Sequence, residues 1–332
     1  MKKYFAILMV LVLLVSLAAC SKKSEAAPTS QLNRSDYFIT VLTGPTSGIY
    51  YPIGGAFNNY LSQIGYKSSA TATSASVENI NYILTGQGEL AIAMSDAVIQ
   101  AINGTGQYQG KPPAKDLRAM MGLWPNYCQI VTTADSGIKS FTDMKGKRVG
   151  VGAPNSGVEL NARVMFEAHG MTYADCKVDY LAYGEAIEQM KNGLCDVAFV
   201  TSGLGNATIR ELGVTKTIYF VPVEGAALRN LLSRYPYYAE AIIPKDVYGT
   251  AVNTTTAAVP NIMLVDKKLP NEVVYDMLKN FYSDDGVATI GASHATAKEN
   301  IMLSTALRGI SGSEIILHDG AIQFYKEKGM IK

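Results

Sequence analysis

Phe38-Ile39-Thr40-Val41-Leu42-Thr43-Gly44-Pro45-Thr46-Ser47-Gly48 is the stretch that decides the fold: an apolar strand, then a Gly/Pro turn carrying hydroxyls, then a helical pattern over about 52–62. Working outward, residues 66–73 read as a second strand, followed by a helix opening at Ser74 or Ser76, with Val77, Ile80, Ile83 and Leu84 at three- and four-residue spacing. Gly86 and Gly88 stop that helix, and residues 90–94 form a third strand. Short, largely apolar strands alternating with helices predict an α/β fold whose parallel sheet is covered on both faces.

The unit recurs. Residues 149–152 are a strand, 153–157 a turn, 158–168 a helix, 178–181 a strand, 185–192 a helix and 197–200 a third strand. The last helix and strand of the two units align without gaps at an offset of 107 residues, Ile80 with Ile187, Gly86 with Gly193, Glu89 with Asp196 and Ser95 with Ser202. The first turns align at an offset of 109, Pro45-Thr46-Ser47-Gly48 against Pro154-Asn155-Ser156-Gly157. Any two strand-helix-strand units share some of this likeness, and two α/β lobes of similar build follow with or without a true repeat. Beyond residue 205 come Tyr235-Pro236-Tyr237-Tyr238, an apolar run at 262–265, and helices over about 271–282, 295–307 and 320–328. These are too few for a third domain in a chain of 332 residues, so they are expected to complete the first lobe. Lobe 1 is then 36–128 with 240–332, lobe 2 is 129–239, and the two crossings between them make a hinge.

Lys2 and Lys3 precede an uninterrupted apolar run at 4–15, and Leu17-Ala18-Ala19-Cys20 follows. This is the order of an export signal over residues 1–19, with a run shorter than the about 18–20 residues of a membrane span. Leu17-Ala18-Ala19-Cys20 resembles the bacterial lipobox, which implies cleavage before Cys20, lipid on its sulfur and anchoring to a bilayer outside the cytoplasm. An uncleaved short anchor helix is the alternative; both readings leave the chain exported and tethered. Residues 20–35, rich in Ser, Lys, Ala, Pro and Thr, read as the flexible tether. With Cys20 lipidated, Cys128, Cys176 and Cys195 are an odd set, which argues against a disulfide framework. A strand order of 2-1-3 in the second unit holds Cys176 and Cys195 two strands apart, too far to bridge.

Hydrophobic residues make up 48% of the chain and charged ones 17%, so the sequence buries a core and is not disordered. Without the leader, 27 basic residues stand against 28 acidic ones, which excludes the basic excess of a nucleic-acid binder. Three histidines and four cysteines predict no metal site, and no cofactor motif is complete: Gly150-x-Gly152 with Gly157 departs from the dinucleotide spacing because position 155 is Asn. There is no phosphate-loop Gly-Lys-Ser/Thr and no Gly-x-Ser-x-Gly elbow, so no catalytic residue is assigned. His169 is expected at a helix C-terminus beside Gly170, a favourable place for a cation, and His294 and His318 on the surface or as caps.

In a parallel β-α unit the turn lies at the carboxyl end of the sheet, and the following helix directs unpaired N–H groups outward, which suits an anion. Ser47, Gly48 and Tyr50 on the first turn, Ser74 and Ser76 at the second helix, and Ser95 at a strand end are the candidates from one lobe. Asn155, Ser156, Gly157, Thr201 and Ser202 are those from the other. Helix capping is the competing role for Ser47, Ser74, Ser76 and Ser156, and simple turn formation for the glycines. Tyr235, Tyr237 and Tyr238 are expected at the hinge or core.

Gly44-x-x-x-Gly48-x-Tyr50-Tyr51-Pro52-x-Gly54, Ser76-Val77-Glu78-Asn79-Ile80-Asn81, Lys145-Gly146-Lys147-Arg148-Val149 leading into Gly152-Ala153-Pro154-x-Ser156-Gly157-x-Glu159-Leu160-Asn161-Ala162, and Tyr235-Pro236-Tyr237-Tyr238 together resemble the TAXI family of TRAP-transporter solute receptors over about 37–328. The resemblance implies a two-lobed periplasmic-binding-protein fold of the type with two crossovers and no catalysis. It also implies a small carboxylate or amino-acid ligand, and delivery to an ion-driven permease. It places the eleven candidates above at the ligand. Met94 stands where the family pattern has glutamine, and Pro45 and Asn155 where it has smaller residues, so ligand preference is expected to differ. A receptor for an ABC importer or for a chemosensory partner shares this architecture; an exported enzyme using Asp96 or Glu159 as base is the alternative of another class.

Overall fold

The computed structural model describes residues 32–332; the leader, Cys20 and the tether as far as residue 31 lie outside the described residues. Residues Arg34–Lys332 form one compact unit. Near the start of this unit the Arg34 guanidinium pairs with Asp276 at 2.8 Å and donates to the Ile64 carbonyl at 2.8 Å. Among the described residues no helix is long and apolar enough to cross a membrane.

The first unit is β1 (Phe38–Leu42), α1 (Tyr50–Gln63), β2 (Lys67–Thr71), α2 (Ser76–Leu84), β3 (Leu90–Met94) and α3 (Ser95–Asn103). A long strand, β4 (Arg118–Thr133), leads to the second: β5 (Arg148–Gly150), α4 (Gly157–Ala168), β6 (Lys177–Asp179), α5 (Tyr183–Lys191), β7 (Val197–Ser202), α6 (Ala207–Thr215), β8 (Ile218–Phe220) and α7 (Gly225–Arg234). The return path is β9 (Ala239–Ile243), α8 (Lys245–Tyr248) and β10 (Thr254–Val265). The chain closes with α9 (Asn271–Phe281), α10 (Asp284–Gly291), α11 (Ala295–Asn300) and α12 (Asp319–Glu327).

The strands form one sheet in the order β2-β1-β3-β10-β4-β7-β5-β6, with β8 on β4 and β9 on β10. Both parallel portions have the order 2-1-3, β2-β1-β3 and β6-β5-β7, so the repeated sequence pattern is a repeated topology. Antiparallel β4 and β10 join them: β10 pairs with β3 through Asn261–Val265 and with β9 through Thr254–Ala258, and β4 pairs with β7 through Tyr127–Thr132. Central β3 and β7 are buried throughout, as strands covered by helices on both faces must be. Edge strands β2 and β6 have no fully buried residue.

At the crossing Pro125 of β4 lies opposite Pro260 of β10, and the register shifts between Pro260 and Ile262. Neither proline has an N–H for the ladder, so the two joining strands are least tightly bonded midway between the halves. The buried Asn261 side chain replaces part of the loss, its Nδ2 donating to the Trp124 carbonyl at 2.8 Å.

Four expectations are corrected. The helix expected over 295–307 ends at Asn300 and is followed by a single 3-10 turn, Leu303–Thr305. Leu84, read as part of an apolar face, is 41% exposed at the end of α2. His169 does stand at the C-terminus of α4, but burial lowers its pKa; it stacks on Phe141 with ring centroids 3.9 Å apart and is neutral, not a cation. Ser74 and Ser76 do not cap α2: its N-cap is Ala75, with no side-chain cap. His294 and His318 cap α11 and α12, each accepting an N–H at 3.1 Å. Cys128, Cys176 and Cys195 are free, the last two opening strands that flank β5.

Candidate functional site

Turns of both halves meet on one small cavity of about 20 Å³. Of the sequence candidates, Gly48 and Tyr50 line it from the first half, and Gly157, Thr201 and Ser202 from the second. Ser76 lies behind it, its hydroxyl accepting the Met94 N–H at 3.1 Å and facing the Tyr50 phenol. The other five stand elsewhere. Ser47 and Ser74 line an open cavity of about 690 Å³. Asn155 borders one of about 710 Å³, and Ser95 one of about 500 Å³. Ser156 is buried and caps α4, accepting the Glu159 N–H at 3.1 Å.

Residue chemistry explains how the halves come so close. Gly157 opens α4 against Ser76 and Met94, where a side chain would collide. Asn155, at φ +59°, turns its carbonyl toward the other half, and it accepts the Glu78 N–H from the first turn of α2 at 3.2 Å. A helix start of the first half is thus satisfied directly by the second, at a position where such amides need a partner.

Polar residues not flagged by the sequence complete the wall. Tyr183 donates to the Thr201 carbonyl at 2.5 Å. Asn126 of β4 faces both Tyr50 Oη, at 3.4 Å, and the Thr201 carbonyl, at 3.5 Å, while accepting from Trp124 Nε1 at 3.0 Å. Tyr50 donates to Asn261, and burial raises its pKa, so it stays a neutral phenol. Thr201 Oγ1 is buried without a hydrogen-bond partner. Among the described residues no lysine or arginine lines this cavity. An anion placed there would meet only neutral hydroxyls, amides and helix starts.

Ala75, also on the wall, has φ 75° and ψ −142°, a region essentially reserved for glycine and costing about 1–3 kcal/mol. Strain of this kind concentrates at ligand sites. Ala75→Gly relieves it at the expense of about 0.4–1 kcal/mol of chain entropy, so a gain of about 1 kcal/mol and a Tm higher by a few degrees are expected. A lower Tm in a thermal melt would show instead that the Ala75 methyl is needed for packing.

Neither carboxylate considered as an enzymatic base lines this cavity. Glu159, its pKa raised by burial, pairs with Arg163 at 2.6 Å and accepts from Tyr173 and Gln107. Asp96 is hydrogen-bonded within the core. Among the described residues there is no group of three or more His, Cys, Asp or Glu able to hold a metal ion.

Three solved structures are among those similar to this chain. PhnD1 from Prochlorococcus marinus, in complex with methylphosphonate, is 10% identical with a TM-score of 0.51, covering 89% of this chain and 99% of its own. The periplasmic aliphatic sulphonate binding protein SsuA from Escherichia coli is 11% identical with a TM-score of 0.45, covering 79% and 77%. A binding protein component of an ABC phosphonate transporter from Pseudomonas aeruginosa is 13% identical with a TM-score of 0.46, covering 79% of each chain. The fold is the α/β fold of periplasmic binding proteins. The NMT1-like family model matches residues 41–329, and the chain belongs to the NMT1-like family.

Proposed function

We propose that this protein is an extracytoplasmic receptor that captures a small carboxylate, an amino acid of glutamate type, a 2-oxoacid or a dicarboxylate, and presents it to a membrane permease. The observation that carries the reading is the meeting of strand-to-helix turns from both halves on one small cavity lined, among the described residues, by no basic side chain. A cavity of about 20 Å³ has room for about one water, so admitting such a solute requires the halves to part. In this reading residues 36–128 with 240–332 and residues 129–239 move as two lobes about β4 and β10. Ser47, Ser74, Ser95, Asn155 and Ser156 join the binding surface as the lobes separate. The solute bridges the lobes and stabilises the closed state, which the permease recognises. Cys20 carries the lipid that keeps the receptor at the membrane.

The motif set that resembles TAXI receptors favours an ion-driven TRAP permease as partner. An ABC importer is the second reading, since a two-lobed receptor can serve either kind of permease. Uptake into vesicles separates the two: dependence on an ion gradient supports the first, and dependence on ATP establishes the second.

The receptor itself is tested by thermal unfolding of the chain from residue 26 onward against amino acids, 2-oxoacids, dicarboxylates, sugars, alkylphosphonates and sulphonates. A ligand at 100 times its Kd adds about 2.7 kcal/mol, an evident shift in Tm. A shift confined to one carboxylate is the expected outcome. A shift confined to a phosphonate or sulphonate would replace the carboxylate assignment, and none after unfolding and refolding would remove the receptor reading.

A further inference from the structure

We propose that Asp96 is a positioning residue that makes closure of the two halves proton-linked, fastening α3 of the first half to α4 of the second through Asn161 and Tyr238 when its carboxyl is protonated. The inference rests on the receptor reading for its purpose, but its geometry is independent of any solute. Asp96 lies in the first turn of α3, with no exposed surface. Its Oδ2 accepts from Asn161 Nδ2 at 2.6 Å and from Tyr238 Oη at 2.8 Å, and Asn161 Nδ2 is also 2.7 Å from that phenol. Tyr238 belongs to the path from α7 into β9, so three separate segments meet on one carboxyl group.

Two acceptors of the cluster, Asp96 Oδ1 and Asn161 Oδ1, are buried without a donor, and the adjoining Ser95 hydroxyl is bonded to neither. Unsatisfied buried acceptors are costly, and a proton on the carboxyl supplies the missing donor. Among the described residues no Lys, Arg or His side chain bonds to Asp96 to offset its charge when ionised. The titratable groups that face it are Tyr50 of α1, Cys128 of β4, and Tyr237 and Tyr238, and burial raises the pKa of each, so all four are neutral. Burial also pushes the Asp96 carboxyl up to about 6, against the donors around it, Tyr238, Asn161 and the N–H groups at the start of α3.

The sign follows. Parting the halves takes Asn161 from Asp96 and lets water reach the carboxylate, which returns toward its ordinary value of about 3.9. The closed state then binds the extra proton, and closure strengthens as pH falls through about 6. Between pH 7 and pH 5 the ratio of closed to open molecules rises about tenfold.

Small-angle X-ray scattering of the chain from residue 26, which retains the whole compact unit, reads that ratio with no solute added. The expected result is a radius of gyration that decreases from pH 8 to pH 5. Asp96→Asn, neutral at every pH and carrying a donor of its own, stays compact throughout. Tyr238→Phe removes a donor to the ionised form and moves the transition to higher pH, a response that loss of packing alone does not give; if Asp96→Asn fails to fold, this variant decides. Glu159 also bonds across the halves through Gln107, so Glu159→Gln is measured in parallel. A flat profile in the wild type, a transition that survives Asp96→Asn, or one abolished only by Glu159→Gln overturns the proposal. A solute found by thermal shift together with a flat scattering profile overturns the latch and leaves the receptor; a proton-linked transition with no solute found does the reverse.

Discussion

Gly157→Val keeps the protein folded and, in the receptor proposed above, weakens solute capture about a hundredfold. A Cβ at this position runs into Met94 Cε and comes within 2.7 Å of Ser76 Oγ and 2.9 Å of Ser76 Cβ. The methionine end can swing away, but Ser76 is fixed by its bond to the Met94 N–H and by its place at the start of α2. Valine adds two more methyl groups. Relief comes only from separating the halves, because Gly157 belongs to one and Ser76 and Met94 to the other. Overpacking of this kind costs about 1–3 kcal/mol, and here the whole cost falls on the closed state. At about 1.4 kcal/mol per factor of ten, 3 kcal/mol makes the closed state about a hundredfold rarer and raises the apparent Kd by the same factor. Calorimetric titration with the solute identified by thermal shift measures it, and circular dichroism checks the fold. Affinity within a factor of three of wild type would show that capture does not need the contact between α4 and α2.

The same turns show how far sequence can be read as structure. The strand at Phe38–Leu42, the one at Leu90–Met94 and the helices after both Pro-x-Ser-Gly turns stand where pattern places them, because apolar runs bounded by glycine carry their meaning locally. β4 escapes the same reading. Gly122 and Pro125 interrupt its apolar pattern, and its partners in β7 and β10 lie far along the chain. The break after Asn300 has no glycine or proline to announce it. Asn126, Asn261 and Tyr183 are single polar residues in unremarkable surroundings, and only the fold brings them to Tyr50 and Thr201. Ser74 and Ser76 look like caps in sequence, yet the chain turns at Ala75 through a conformation that alanine seldom adopts. Local chemistry thus locates the turns, while long-range pairing selects which of their side chains reach the cavity.

Gly122 gives the largest expected loss of stability. It lies in β4 with its N–H donating to the Ala306 carbonyl at 2.6 Å, and a Cβ there runs into the Arg308 carbonyl oxygen and within 2.8 Å of the Arg308 nitrogen. These are backbone atoms, so no rotamer change relieves the contact. The turn at 306–308 must lift off the strand, and Arg308, which donates to the Leu123 carbonyl at 3.2 Å and to Asn300 at 2.6 Å, is drawn away with it. Overpacking at about 1–3 kcal/mol adds to buried groups left unpaired at about 1–3 kcal/mol, giving about 3–5 kcal/mol for Gly122→Ala. That is a large part of the stability of an ordinary protein and lowers Tm by about 10 °C. Gly55→Ala is the control. Gly55 lies within α1 with nothing within 4 Å of a Cβ, so the same added methyl raises stability by about 0.5–1 kcal/mol through helix propensity. Opposite shifts from one chemical change isolate the cause as the approach of the 306–308 backbone. Equal shifts in the two melts would mean that this segment yields, and that β4 is not clamped beside the crossing at Pro125.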